Sequence, residues 1–232
     1  MILEEREKAV LGTLSRLPKK EFVLIGGYAI NAYTPPRYSL DCDLVLLRHN
    51  KEILGVLEKE GYVKKESGKN ETPYGGEFMR YEKDELKVSF DLLIGEVLDR
   101  KTRISLPADF ILNHSKERAT VGRAVPDRIL LRIANPEVLF ILKFIASRKQ
   151  DIRDMFMLSH TNLKHGLIIN TLKEKMPEDI VNKNVAYIKD VIKNPSYRDS
   201  LQGAYGALPE GLFDSCQKKL SALLSELSIG DA

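Results

Sequence analysis

The sequence predicts a mixed α/β (α+β) fold: a small mixed β-sheet flanked by helices, followed by a helical C-terminal region. Three observations carry this. Short apolar runs at 22–25, 41–47 and 87–94 are bounded by Gly, Pro or charged turns and suit strands. Helical periodicity lies between and before them, at 2–16 and 51–60. Beyond about residue 160 the periodicity is helical to the end, punctuated by Pro177, Pro195 and Pro209, and four short helices are expected there. The 232 residues allow one large domain or two modest ones. The expected partition is a domain over 1–159 and a helical region over 160–232.

The first helix places Ile2, Leu3, Val10, Leu14 and Leu17 near one face, and Pro18 stops it. Phe22-Val23-Leu24-Ile25 is a strand ending in Gly26-Gly27, with a short helix through Ala32 and a stop at Pro35-Pro36. The strand 41–47 carries Cys42, Leu44 and Leu46 on one face and Asp41, Asp43, Val45 and Leu47 on the other. Both faces become apolar away from the carboxylates, as in a strand covered on both sides. In the helix 51–60, Ile53, Leu54 and Leu57 point inward and Gly61 is a C′ residue. Tyr62–Lys65 is a possible strand, 67–76 a turn-rich loop, and 77–81 and 87–94 are strands. The stretch 99–128 reads as irregular. Asn135-Pro136-Glu137 starts a helix, with Asn as N-cap, Pro at N1 and an acid in the first turn.

Composition excludes several classes. Hydrophobic residues make 43% of the chain and charged residues 30%, as in ordinary globular proteins. The net charge of +3 makes no global case for a polyanion partner, although Arg100–Arg153 has a local excess of Lys and Arg. Two cysteines, Cys42 and Cys216, form neither a disulfide framework nor a zinc spacing. His114, His160 and His165 lack ligand spacing. The N-terminus does not read as a leader and no run is long enough to span a bilayer, so a cytoplasmic location is expected.

Asp41 and Asp43 point to the same side of one strand and form half of a divalent-metal site. Mg²⁺ takes oxygen ligands and uses few carboxylates beside substrate phosphates. Gly26-Gly27 lets the backbone approach a ligand closely, and a helix starting there aims free N–H groups at an anion. A phosphate cradle and a metal clamp so close in sequence point to a nucleoside triphosphate held with Mg²⁺. Asp91, alone in the apolar strand 87–94, needs a partner.

Gly26-Gly27, then Arg37-x-Ser39-x-Asp41-x-Asp43 before an apolar strand, then Phe90-Asp91-Leu92, resemble the nucleotidyltransferase superfamily with its polymerase-beta-like fold. The segment Leu139–Leu158, with Lys143 and Asp151-x-x-Asp154, resembles the AbiEii-like toxin branch. The resemblance covers about 20–160. It implies that Asp41 and Asp43 bind the metal holding the triphosphate, and that Asp91 joins them at a second Mg²⁺ or Mn²⁺ that activates the acceptor hydroxyl. It also implies nucleotide binding by Gly26, Gly27, Arg37, Ser39 and Lys143, with Asp151 or Asp154 orienting Lys143 or acting as a base. ATP or another NTP is then the substrate. The acceptor is tRNA or another RNA, a protein or a small molecule, and the toxin branch implies an antitoxin partner.

A nucleotide- or partner-binding module without catalysis is the main alternative. A sugar-nucleotide glycosyltransferase also uses Asp-x-Asp, but the Gly-Gly element and Asp91 fit it poorly. A dehalogenase-type phosphatase needs a Gly-Thr/Val pair after its acid, where this chain has Leu44-Val45.

Overall fold

The computed structural model describes residues 2–228, which form two compact units. The first runs to Leu98 and resumes over Ser105–Asn135; the second comprises Asp99–Ile104 and the chain from Pro136 onward.

The first unit contains, in order, α1 (Ile2–Arg16), β1 (Val23–Ile25), α2 (Gly26–Ile30), β2 (Asp41–Leu46), α3 (Lys51–Lys59), β3 (Val63–Lys69), β4 (Glu77–Lys83), β5 (Val88–Ile94), β6 (Glu96–Leu98), β7 (Ser105–Pro107), α4 (Ala108–Asn113), β8 (Ser115–Thr120) and β9 (Ile129–Ala134). Among the described residues, seven strands make one mixed sheet in the order β3-β4-β5-β2-β1-β9-β8. The pairs β2·β5 and β1·β9 are parallel and the other neighbours antiparallel. The central strands are correspondingly buried: Leu24, Cys42, Leu44, Phe90, Leu92 and Ile133 have no exposed surface. Phe90 packs edge-on against Tyr62, with ring centroids 5.0 Å apart, and α1 packs against β5 and α3. Each such side chain contributes about 1.5–3 kcal/mol by leaving water.

Several expectations change. Leu47, expected to continue a covered face, lies just past β2 and is 54% exposed. Leu54 is half-buried, whereas Ile53 and Leu57 are fully buried. β3 continues through Lys69 into the stretch read as a loop. All seven of its residues are exposed, so there is no apolar alternation to read, and its lysines suit a sheet edge that must not pair with another chain. The stretch 99–128, expected to be irregular, contains β7, α4 and the charged edge strand β8. β9, absent from the sequence reading, lies beside β1.

The second unit contains α5 (Pro136–Ala146), α6 (Lys149–Leu158), α7 (His165–Lys175), α8 (Glu178–Lys193), α9 (Tyr197–Tyr205) and α10 (Leu212–Leu227). Pro136 opens α5 as expected, but the Asn135 side chain makes no cap: its Oδ1 is buried without a hydrogen-bond partner. Helix α5 is apolar nearly all round, and Val138, Leu139, Phe140, Ile141, Phe144 and Ile145 are buried. Ser147, at φ 44°, separates α5 from α6. The four later helices follow the expected proline punctuation. α5 and α6 pack in the same unit as these helices, so the packing division falls after Asn135, whereas the partition expected from the sequence lies at 159/160. No helix among the described residues is long and apolar enough to cross a membrane.

Candidate active site

Strand alternation puts Asp41 and Asp43 on one face of β2, and pairing brings further charges to that face. Parallel β5 places Asp91 beside Asp43 and Ser89 beside Asp41. Antiparallel β4 places Arg80 beside Asp91, and β3 places Glu66 beside Arg80. On the other flank, Ile25 of β1 pairs with Asp43, and Gly26 follows it. The result is a row across five strands: Glu66, Arg80, Asp91, Asp43, Ile25. Neighbouring strands are about 4.8 Å apart, so Asp43 and Asp91 are in direct electrostatic contact.

Asp91 is the most constrained member. Its side chain is 14% exposed, its Oδ2 accepts from Arg80 Nη1 at 3.3 Å, and its Oδ1 is buried with no hydrogen-bond partner. Burial, and then the charge of Asp43, push its carboxyl up to about 7, against the pull of Arg80. Asp41 is half-exposed, and its Oδ1 accepts from Ser89 Oγ at 2.7 Å and Arg80 Nη2 at 3.1 Å. Arg80 Nε donates to Glu82 at 2.6 Å. Cys42 points to the opposite, fully buried face, and burial raises its thiol well above the ordinary range.

The Gly pair presses directly on these groups. Gly26 has φ 68°, and a Cβ there would collide with Asp43 Oδ2. A Cβ on Gly27 would collide with Ser39 Oγ and stand 3.2 Å from Arg37 Nη1. At five residues, α2 is a short helix; the contribution of the glycines is close backbone approach. The loop carrying Arg37 and Ser39 is tied down by residues the motif does not contain. Asn31 Nδ2 donates to the carbonyls of Arg37 at 2.9 Å and Val121 at 3.2 Å, and its Oδ1 accepts from the Arg37 amide at 3.1 Å. Tyr28 Oη donates to the Ser39 carbonyl at 2.9 Å. Sequence reasoning misses Asn31, Tyr28, Ser89 and Arg80; only the demand of Asp91 for a partner pointed toward the last.

Among the described residues, no group of three or more His, Cys, Asp or Glu side chains is arranged to hold a metal ion. The donor set still fits Mg²⁺ or Mn²⁺. It is all carboxylate oxygen, without thiol or imidazole. The partnerless Oδ1 of Asp91 is an acceptor with nothing to accept from. Arg80, a cation already among these acids, is what a metal would have to displace.

Lys143, Asp151 and Asp154 belong to the second unit and form a cluster of their own. Lys143 Nζ lies 2.7 Å from Asp151 Oδ1 and 3.0 Å from Asp154 Oδ2. Asp151 Oδ2 accepts from the Arg148 amide at 3.1 Å, and Asp154 Oδ1 from Tyr205 Oη at 2.7 Å. Both carboxylates are almost wholly buried, and Lys143 is 15% exposed. Both acids are therefore ion-paired with Lys143. The basic residues of 100–153 are divided between the units: Lys116, Arg118, Arg123, Arg128 and Arg132 lie in the first, and Arg100, Lys101, Arg103, Lys143, Arg148, Lys149 and Arg153 in the second. Within the first, Arg118 stacks over Tyr33 and Arg123 over Tyr38.

No protein-family model and no curated protein matches the sequence. Among solved structures, a Helicobacter pylori protein provisionally assigned as a nucleotidyltransferase is 17% identical, with a TM-score of 0.40 over 97% of this chain and 92% of the other. JHP933 from Helicobacter pylori is 18% identical, with a TM-score of 0.40 over 97% and 90%. A STING-associated CdnE c-di-GMP synthase from Capnocytophaga granulosa is 10% identical, with a TM-score of 0.23 over 97% and 78%.

Proposed function

We propose that the chain is a metal-dependent nucleotidyltransferase that moves a nucleoside monophosphate from an NTP to an acceptor hydroxyl and releases pyrophosphate. The observation that carries this reading is the register that sets Asp91 beside Asp43, with Gly26 lying against the same carboxylate and leaving no room for a side chain. Asp41, Asp43 and Asp91 would hold Mg²⁺ or Mn²⁺, which supplies charge neutralisation at the phosphates and activation of the attacking hydroxyl. Gly26 and Gly27 admit phosphate oxygens close to the backbone. Ser39 and Arg37, fixed by Tyr28 and Asn31, offer a hydroxyl and a cation to the same phosphates. Lys143, held by Asp151 and Asp154, is assigned to nucleotide binding, so the catalytic portion is taken to run to 159, past the packing boundary.

Within this reading, the Lys143–Asp154 segment supports an RNA acceptor, tRNA foremost, and a toxin role with an antitoxin partner. The test uses each α-labelled NTP in turn with Mg²⁺ or Mn²⁺, cell RNA and cell protein, alongside an Asp41→Ala/Asp43→Ala variant. Label on RNA that the variant fails to transfer supports the toxin-like reading. Label on protein keeps the transferase and replaces the acceptor. A non-catalytic nucleotide- or partner-binding module is the second reading. Arg80, already paired with Asp41 and Asp91, favours it, and NTP binding without transfer of label to any acceptor would establish it.

A further inference from the structure

Arg80 stands in the charged row beside Asp91, and the proposed chemistry leaves it without a task. Its guanidinium reaches three carboxylates: Glu82 at 2.6 Å, Asp41 at 3.1 Å and Asp91 at 3.3 Å. Charge-assisted N–H···O⁻ bonds run about 2.7–2.9 Å, so the grip on Glu82 is tight and the two grips on the aspartates are long. The tight bond uses Nε and the long ones use Nη1 and Nη2. Glu82 sits two residues along the same strand, on the same face.

We infer that Arg80 is a positioning residue acting as a displaceable stand-in cation: it holds Asp41 and Asp91 in the metal-free protein, yields them to a divalent ion, and stays tethered to Glu82. The inference rests on the metal-dependent reading above. Without a cation, Asp41, Asp43 and Asp91 would repel across one sheet face, and Asp91 would be a largely buried, unpaired charge. Arg80 meets that need with one oxygen of each of two acids. Release is cheap at Asp41, whose side chain is 52% exposed and whose ion pair is screened by water. Arg80 engages only Oδ2 of Asp91, leaving Oδ1 unused. On release the guanidinium keeps its shortest bond, so it need not be stranded without a counter-charge.

The consequence has a sign. A residue that builds the metal site would weaken metal binding when removed; a residue that competes with the metal would strengthen it. The test is Mn²⁺ titration of the full chain by calorimetry and by the spin-resonance signal of free Mn²⁺, at low ionic strength, for the unaltered protein, Arg80→Gln and Arg80→Lys. Thermal melting with and without Mn²⁺ accompanies it. Arg80→Gln should bind Mn²⁺ about tenfold more tightly. Lysine keeps the charge but cannot fork across two acids, so Arg80→Lys should gain about threefold. The metal-free Arg80→Gln protein should melt lower than the unaltered protein, and saturating Mn²⁺ should close that gap. Equal or weaker Mn²⁺ binding by Arg80→Gln, with binding intact in the unaltered protein, overturns the inference and leaves the metal-dependent reading standing. If Arg80→Gln does not fold, Arg80→Lys decides by the same criterion. Failure of every form, the unaltered protein included, to bind Mn²⁺ overturns the metal-dependent reading and this inference with it.

Discussion

On β5, Asp91 keeps one carboxylate oxygen buried and partnerless beside the charge of Asp43. On α6, Asp154 is buried more deeply still, yet Lys143 and Tyr205 engage its two oxygens, and Asp151 is bound by Lys143 and the Arg148 amide. Burial is therefore common to both clusters and does not distinguish them; satisfaction does. A buried polar network whose members are paired rigidifies the structure around it. A buried carboxylate left half-satisfied beside a like charge destabilises the fold, and a bound cation recovers the difference. The carboxylate row of the first unit is built in the second way and the Lys143 cluster in the first.

The largest expected effect comes from the row. Asp41→Ala/Asp43→Ala should reduce nucleotidyl transfer by at least about a thousandfold, since metal-held charge stabilisation is worth several kcal/mol. Its melting temperature should change little, because these acids repel as much as they bind. The paired cluster should respond in the opposite sense. Asp154→Ala removes a buried carboxylate that accepts from Tyr205 Oη and pairs with Lys143, so it should cost about 3 kcal/mol in urea unfolding. Equal stabilities for the two variants would break the distinction between the clusters.

How much of this could be read from the chain follows from how local each feature is. Asp41-x-Asp43 and Gly26-Gly27 are set within a strand and a turn, where alternation and backbone freedom act over a few residues, so both were legible. Asp91 was legible as an anomaly, a charge in an apolar run. Its partner was not. Arg80 reaches it through the register of the β4–β5 hairpin, fixed by a turn in which Lys87 takes φ 51°. β9 was legible in principle, since Ile129, Leu131 and Ile133 alternate inward with Leu130 and Arg132 outward. The polar edge strands β3 and β8 carry no such signal, because ladder hydrogen bonds rather than burial hold them. Asp151 and Asp154 are linked to Lys143 in the sequence only through the resemblance, since their spacing alone suits solvated partners of Arg148 and Lys149 equally well. Only the break at Ser147 turns them back onto Lys143, and Tyr205 joins from 51 residues away.

An intermediate effect should come from Asp91→Asn, and it depends on pH. The folded carboxyl titrates at about 7, above the ordinary value of 3.8. The folded state therefore holds this proton more tightly than the unfolded chain. Ionisation costs the fold nothing below about pH 4, progressively more between pH 4 and 7, and its full amount above that. Asparagine removes the ionisation. Metal-free Asp91→Asn should be more stable than the unaltered protein by roughly 2 kcal/mol near pH 8, with the gain vanishing near pH 4. Urea midpoints across that range check it. The same variant should lose Mn²⁺ binding, and Mn²⁺ affinity of the unaltered protein should rise as pH passes through 7. A variant no more stable at pH 8 than at pH 4 would mean that Asp91 is already satisfied when ionised.

The smallest effects set the two clusters side by side with the same chemical change, loss of one hydroxyl that donates to a carboxylate at 2.7 Å. Tyr205→Phe removes the donor on Asp154, and Ser89→Ala the donor on Asp41. Asp154 is 1% exposed and has no access to water as a replacement, so Tyr205→Phe should cost about 1.5 kcal/mol, the lower range for a hydrogen bond to a charged group. Asp41 is 52% exposed and keeps Arg80, so water can replace Ser89, and Ser89→Ala should cost less than about 0.5 kcal/mol. Ser89 itself is buried, and alanine leaves no unsatisfied hydroxyl behind. Urea unfolding of both variants measures the contrast directly. Two equal losses would show that Asp41 depends on its hydroxyl donor as fully as Asp154 does, and that its exposure does not loosen it for a metal.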